Sequence, residues 1–325
     1  MIRMSRVVLL ALCGFSFVLV PACEKDGSST GDTRSNDSDD PAGKAGSDAP
    51  KVKLISAGKE PRRALRFEIE RGHSETMDII MKMGMEMSMG GNAMPKVDLP
   101  PMKMTMSMHA TEVAANGDVR VEVKLTDTDV VAEPGAIPAV VDAMKRELAK
   151  MNGMTGFTVI NKRGFVLDGR FQAPPDAPAQ VAQLLSSMED SMRQLTVPMP
   201  EEPIGVGGSW QVKQRPVING IAIAQTGTYK VTKLDDKEVT FEVKLVQEGK
   251  KQTVEMPTVP GIKTEIKSWK GSGSGTIQLV RGRLAPTQSH AVTDSSTSMK
   301  VLTDPPQSID ARYTFDFQIR STKSE

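Results

Sequence analysis

Cysteine is almost absent from this chain: 325 residues contain two, Cys13 and Cys23. Both belong to the N-terminal apolar run or its end, so the rest has no thiol for a disulfide, an iron–sulfur cluster or a cysteine-ligated zinc. Its stability must come from burial alone. Histidine is nearly as scarce, with His73, His109 and His290 far apart and no H-x-x-x-H pair. A zinc site would be unusual on that supply, and no cofactor is expected. Aromatic residues make up 4%, too few for a carbohydrate-stacking platform. A net charge of +1 implies no electrostatic partner and argues against nucleic acid. No serine beyond the tether described below sits in a G-x-S-x-G elbow. A triad assembled in space stays open, but no set of catalytic groups is visible and the chain reads as non-enzymatic.

What is present starts with the first residues. Arg3 and Arg6 precede an apolar run from Val7 to Val20, shorter than the ~20 residues of a spanning helix, and small Ala22 precedes Cys23. Val20-Pro21-Ala22-Cys23 resembles the lipobox of a bacterial lipoprotein signal. The resemblance implies that residues 1–22 are a signal peptide, that cleavage falls before Cys23, and that Cys23 carries the lipid. By similarity to the enterobacterial sorting rule, Glu24 in place of Asp implies the outer membrane, facing periplasm or surface. The membrane, reached through that lipid, is then the implied partner, and envelope protein partners stay open. From Glu24 to about Pro50 the chain is rich in Ser, Gly, Asp, Ala and Pro. Such a stretch cannot bury enough apolar surface to offset chain entropy and reads as a disordered tether. Residues 51–325 remain as a single β-rich domain.

There the pattern has period two. Residues 66–70, 119–125, 229–234, 239–245, 276–280 and 313–319 alternate apolar with polar, as strands with one buried and one wet face do. Turn signals such as Asn116-Gly117-Asp118, Asp235-Asp236-Lys237 and Arg281-Gly282 separate them. Two helical stripes interrupt: Ile137, Val140, Val141, Met144, Leu148 and Met151, then Val181, Leu184, Leu185, Met188, Met192 and Leu195 over Pro178–Leu195. The expected fold is α+β, mainly β: a large curved antiparallel sheet, half-barrel-like, with two amphipathic helices on its concave face. Glu-Val-Lys-Leu occurs at 122–125 and again at 242–245. Two duplicated halves, about 60–200 and 201–325, would explain the echo; so would the likeness of all valine-rich amphipathic strands.

Methionine is the outlier, with 21 residues, eleven of them between Met77 and Met108. Met81, Met83, Met85, Met87 and Met89 alternate strictly, and so do Met102, Met104, Met106 and Met108. Each run therefore occupies one face of a strand, and the Gly- and Pro-rich connector between them suits a hairpin. Three readings stand side by side. The runs fill a core, since methionine packs irregular gaps. They line a pocket for an apolar, lipid-like ligand. Or their thioethers hold Cu(I), which soft sulfur ligands select, although strand positions are an unusual place for that.

Gly271-Ser272-Gly273-Ser274-Gly275 looks like a phosphate loop but leads into an alternating strand instead of a helix, and reads better as a glycine-rich strand start or bulge. Glu68, Glu70, Glu122 and Glu242 sit on polar parity. Trp210 reads as a structural aromatic. Pro203-Ile204-Gly205-Val206-Gly207-Gly208-Ser209-Trp210, the Gly-x-Tyr strand at 227–231 and Gly273-x-Gly275 leading to Arg281-Gly282 resemble a family of uncharacterised bacterial envelope lipoproteins. In outline, a long curved sheet with inner helices is similar to the LolA/LppX type of lipid and lipoprotein carriers. The resemblance implies an envelope lipoprotein that binds or shields a hydrophobic ligand. A structural lipoprotein of an envelope complex, without a ligand, is the alternative, and a methionine-rich Cu(I) binder the third.

Overall fold

The structure is a computed structural model, and it describes residues 49–172, 197–218, 220–255 and 261–323. The leader, Cys23, the tether up to residue 48 and the second expected helix, Pro178–Leu195, lie outside the described residues.

Strands form where the alternation runs. β1 (Lys51–Ser56), β2 (Ser74–Met89), β3 (Asn92–Ala93), β4 (Val97–Val113) and β5 (Val119–Val130) precede helix α1 (Pro138–Ala149). β6 (Thr155–Ile160) and β7 (Val166–Gln172) follow it. Beyond residue 197 come β8 (Ser209–Gln214), the short pair β9 (Val217–Ile218) and β10 (Ile221–Ala222), β11 (Ala224–Leu234), β12 (Glu238–Gly249) and β13 (Gln252–Glu255). β14 (Lys263–Val280), β15 (Gln288–Val301) and β16 (Gln307–Lys323) complete the order. One antiparallel sheet runs β1-β8-β11-β12-β14-β15-β16-β2-β4-β5-β6-β7 and does not close on itself. It consists of two meanders, β2 to β7 and β8 to β16, joined because β16 pairs with β2 over most of both strands.

Register identifies a single inner face. Directly opposed residues share a face, and one row of them runs Leu54–Trp210–Tyr229–Val243–Gly275–Ala291–Phe317–Met81–Met102–Val130 through ten strands. Every member is apolar or glycine apart from the Tyr229 hydroxyl and the Trp210 indole N–H, so the hydrophobic period is kept from strand to strand across the whole sheet.

Three clusters cover parts of this face, each under a different segment. α1 lays Val141, Met144 and Leu148 on Met106, Val121, Val123 and Leu125. The segment around β10 places Ile221 and Ile223 on Met85, Met87, Ile266, Met299 and Ile309. Leu65, Val197, Met199 and Ile204 close over Trp210, Val231, Phe241 and Leu279. Pro138 lies in the first turn of α1, where its missing N–H is tolerated. The helix's apolar stripe is narrower in contact than in sequence, because Ile137 and Val140 are 65% and 41% exposed.

Two sequence expectations are corrected. Residues 66–70 are not a strand but an irregular strap. Leu65 belongs to the third cluster and Ile69 to the first, with Phe67 packed against both, so burial by alternate residues occurs without a ladder partner. Nor is Gly271–Gly275 a strand start or bulge. It lies in mid-β14 in continuous register with β12 and β15, and the one β14 irregularity on the β15 side is at Ile266/Ser268. The two-helix expectation is met among the described residues by one helix, α1.

Candidate functional site

The methionine hairpin forms as read: β2 pairs with β4, setting Met81 opposite Met102, Ile79 opposite Met104 and Met77 opposite Met106. Met83, Met85, Met87, Met102, Met106 and Met108 are buried, while Met81, Met89 and Met104 are half-buried. The nine do not converge on one centre. Met102, Met106 and Met108 belong to the cluster under α1, with Met81 and Met104 packed against it. Met85 and Met87 belong to the β10 cluster, with Met89 against it. On the β16 side the hairpin meets aromatic rings in register: Met81 faces Phe317, Met83 faces Phe315 and Met85 faces Tyr313, contacts that suit polarizable sulfur. Among the described residues, no group of three or more His, Cys, Asp or Glu could hold a metal ion.

Between the clusters the inner face is only half-buried, at Val243, Leu245, Ile277, Phe315 and Phe317. Here β14 presents Gly271, Gly273 and Gly275 opposite Ser295, Thr293 and Ala291 of β15. A Cβ on Gly273 would lie 2.6 Å from Thr293 Cγ2, and one on Gly275 2.8 Å from Ala291 Cβ. The glycines thus let side chains of neighbouring strands crowd together on the inner side, which is what a sheet curled toward that side needs.

At one end of this face lies a cavity of about 330 Å³. The strap supplies Arg63, Leu65, Arg66, Phe67 and Glu68; the β11–β12 turn supplies Leu234 to Val239; the end of β14 and its turn supply Leu279 to Arg283; Met199 completes it. Leu65, Met199, Val239 and Leu279 belong to the third cluster, with Phe67 and Leu234 packed against it, and nine of the eighteen lining residues are charged. Two ion pairs tie strap to turns: Arg281 Nε donates to Glu68 Oε2 at 2.7 Å, and Arg63 Nη2 to Asp236 Oδ1 at 3.1 Å. Both involve exposed groups, so each contributes little to stability. Arg66 differs. Its hydrogen bonds run to the carbonyls of Leu65 (2.6 Å), Pro200 (3.0 Å) and Glu201 (2.7 Å). Burial, with the neighbouring Arg163 charge, lowers its pKa against an opposing pull from Glu201. A second, more open recess of about 540 Å³ includes Met87, Met94, Ser88, Ser296 and Arg312 in its lining. Of the nine candidate methionines, Met87 lines this recess and none lines the first.

Behind the strap sits a buried carboxylate that the sequence reading missed. Glu75 is fully buried. Its Oε1 accepts from His73 Nε2 at 2.6 Å, Arg283 Nε at 2.8 Å and the Leu284 amide at 2.7 Å. Arg283 Nη2 also donates to Ser321 Oγ at 3.2 Å. The signal was present: Glu75 shares the parity of Met77, Ile79 and Met81, so period two places it inward. His109 is exposed, with Nδ1 2.7 Å from Ser74 Oγ, and His290 is exposed beside Asp316. Trp210 is fully buried and donates to the Pro198 carbonyl at 2.9 Å. Its ring stacks on Tyr229 and meets Phe241 edge-on, and burial pushes the Tyr229 phenol up to about 12.

Residues 184–281 match the model of a family of unknown function, DUF6263. The matched stretch contains Met199, the β11–β12 turn and the end of β14 on the cavity's far wall, but not the strap. No curated protein matches the chain.

Proposed function

We propose that this chain is a lipid-anchored protein of the bacterial envelope, held at the outer membrane through Cys23, that shelters a small apolar or amphiphilic ligand against the inner face of its sheet. The observation that carries the reading is the cavity of about 330 Å³ at the end of that face. Its floor is apolar, from Leu65, Met199, Val239 and Leu279, and charged side chains of the strap and of the two turns make up the other half of its lining. Binding sites for small molecules combine these properties at this size. The methionine face plays a supporting part, since its adaptable side chains let the sheet pack against unlike segments. The driving force is removal of apolar surface from water, at ~25 cal/mol per Å².

Native mass spectrometry of the full protein extracted from bacterial membranes, with lipid analysis of the same sample, tests the reading. A stoichiometric apolar adduct is expected in addition to the acyl mass on Cys23. A clean mass with no adduct favours a second reading, a structural lipoprotein without a ligand. Burial of six of the nine candidate methionines, five of them in packed clusters, speaks for that one. The anchor is tested separately: Cys23→Ser should move the protein from the membrane to the soluble fraction.

A further inference from the structure

The charges around the cavity are not matched alike. Asp235 is used by the amides of Lys237 and Glu238, at 2.9 Å each. Glu238 accepts from Gln278 and pairs with Lys233. These two acids are committed to their own hairpin. Glu68 and Asp236 remain, and each is held by one arginine of the rim, Arg281 and Arg63. Arg66 stands with them as a half-buried cation whose hydrogen bonds, among the described residues, go to carbonyl oxygens. The rim therefore carries more positive charge than its free carboxylates offset. The groups now on Arg281 and Arg63 are themselves carboxylates, in exposed pairs that contribute little and exchange readily.

We propose that the cavity takes a medium-chain carboxylate, its head replacing Glu68 or Asp236 on the arginines of the rim and its tail lying against Leu65, Met199, Val239 and Leu279. This rests on the apolar-ligand reading and names the headgroup that the reading leaves open. A planar guanidinium receives a carboxylate through two parallel N–H···O bonds, so the exchange is like for like. At ~30 Å³ per water-sized group, about 330 Å³ holds on the order of ten such groups, which points to a chain of about ten carbons and not to a whole phospholipid.

The test is calorimetric titration of the full protein at low salt with decanoate, 1-decanol and decyltrimethylammonium. Decanoate should bind several-fold more tightly than decanol, because the cations of the rim outnumber its free carboxylates, and the cation least. Arg281→Gln should remove that preference, bringing decanoate down to the affinity of decanol. Glu68→Gln should tighten decanoate several-fold, because it removes the competing carboxylate; a merely structural role for the pair would not improve binding. Equal affinities for decanoate and decanol, or a preference for the cation, overturn the headgroup assignment while the apolar-ligand reading stands. Binding of none of the three overturns both.

Discussion

Glu75 offers the sharpest test of how this sheet is held. Its carboxylate is fully buried and accepts at one oxygen from His73, Arg283 and the Leu284 amide. Arg283, with its side chain 17% exposed, keeps a bond to Ser321 when the carboxylate is removed. Glu75→Ala would leave a largely buried guanidinium uncompensated and the Leu284 amide without its acceptor. Breaking a buried pair from one side costs about 3–5 kcal/mol. That is a large fraction of the 5–15 kcal/mol typical of a domain. Glu75→Gln keeps an acceptor for the Leu284 amide but loses the charge and sets an amide NH2 where Oε2 accepts from Arg283 Nη2 at 3.4 Å, so a loss smaller than that of the alanine variant but still clear is expected. The double substitution Glu75→Leu with Arg283→Met removes both charges together and should recover much of the loss, since apolar replacements of whole buried pairs are often neutral or stabilising. Urea unfolding followed by tryptophan fluorescence reads the midpoint at constant slope. A loss under about 1 kcal/mol for Glu75→Ala would refute the account, and so would additive single and double variants, which would mean no coupling.

Three further outcomes follow from packing and titration. Met102→Ala, at a side chain 2% exposed, should lower stability by about 2–5 kcal/mol, and Met104→Ala, at a half-buried site, by clearly less in the same urea assay. Gly273→Val should cost about 1–3 kcal/mol because its Cβ would press on Thr293 Cγ2 and the Val292 carbonyl; a thermal melt unchanged from the parent would contradict the crowding argument. The Tyr229 phenol, raised to about 12 by burial, binds its proton more tightly folded than unfolded. Its contribution is therefore full below ~10 and is lost as pH rises from there toward 12. Ultraviolet titration should show that phenol ionising together with unfolding in base, not before it.

Much of the architecture was written in the alternation. The stretches 119–125, 229–234, 239–245, 276–280 and 313–319 all became strands, because a two-sided antiparallel sheet imposes period two on any strand with one wet face. The strap at 66–70 alternates too, and it shows the limit of the signal. Period two records which side chains are buried, not whether the backbone has a ladder partner. Glu75 was legible as a carboxylate on apolar parity, but its partner Arg283 is more than two hundred residues away, and nothing local announces it. The cavity was not legible for the same reason: its lining comes from the strap, Met199 and two distant turns. The glycines of β14 were visible and their role was not. The need for them arises from how closely Thr293 and Ala291 approach, a property of the neighbouring strand.

The pairing of β2 with β16 bears on how the molecule comes into being. Met85 finds Tyr313, and Met81 finds Phe317, so the central ladder joins the earliest long strand to the last one described. A chain made N-terminus first can build the β2-to-β7 meander early, yet one edge of β2 must wait open, with its methionine row bare, until β16 has been synthesised. Such long-range closure is slow, and an unpaired apolar edge in the meantime is an invitation to foreign strands. The unsaturated intermediate is where this protein is most exposed to aggregation, and where a chaperone would have the most to protect.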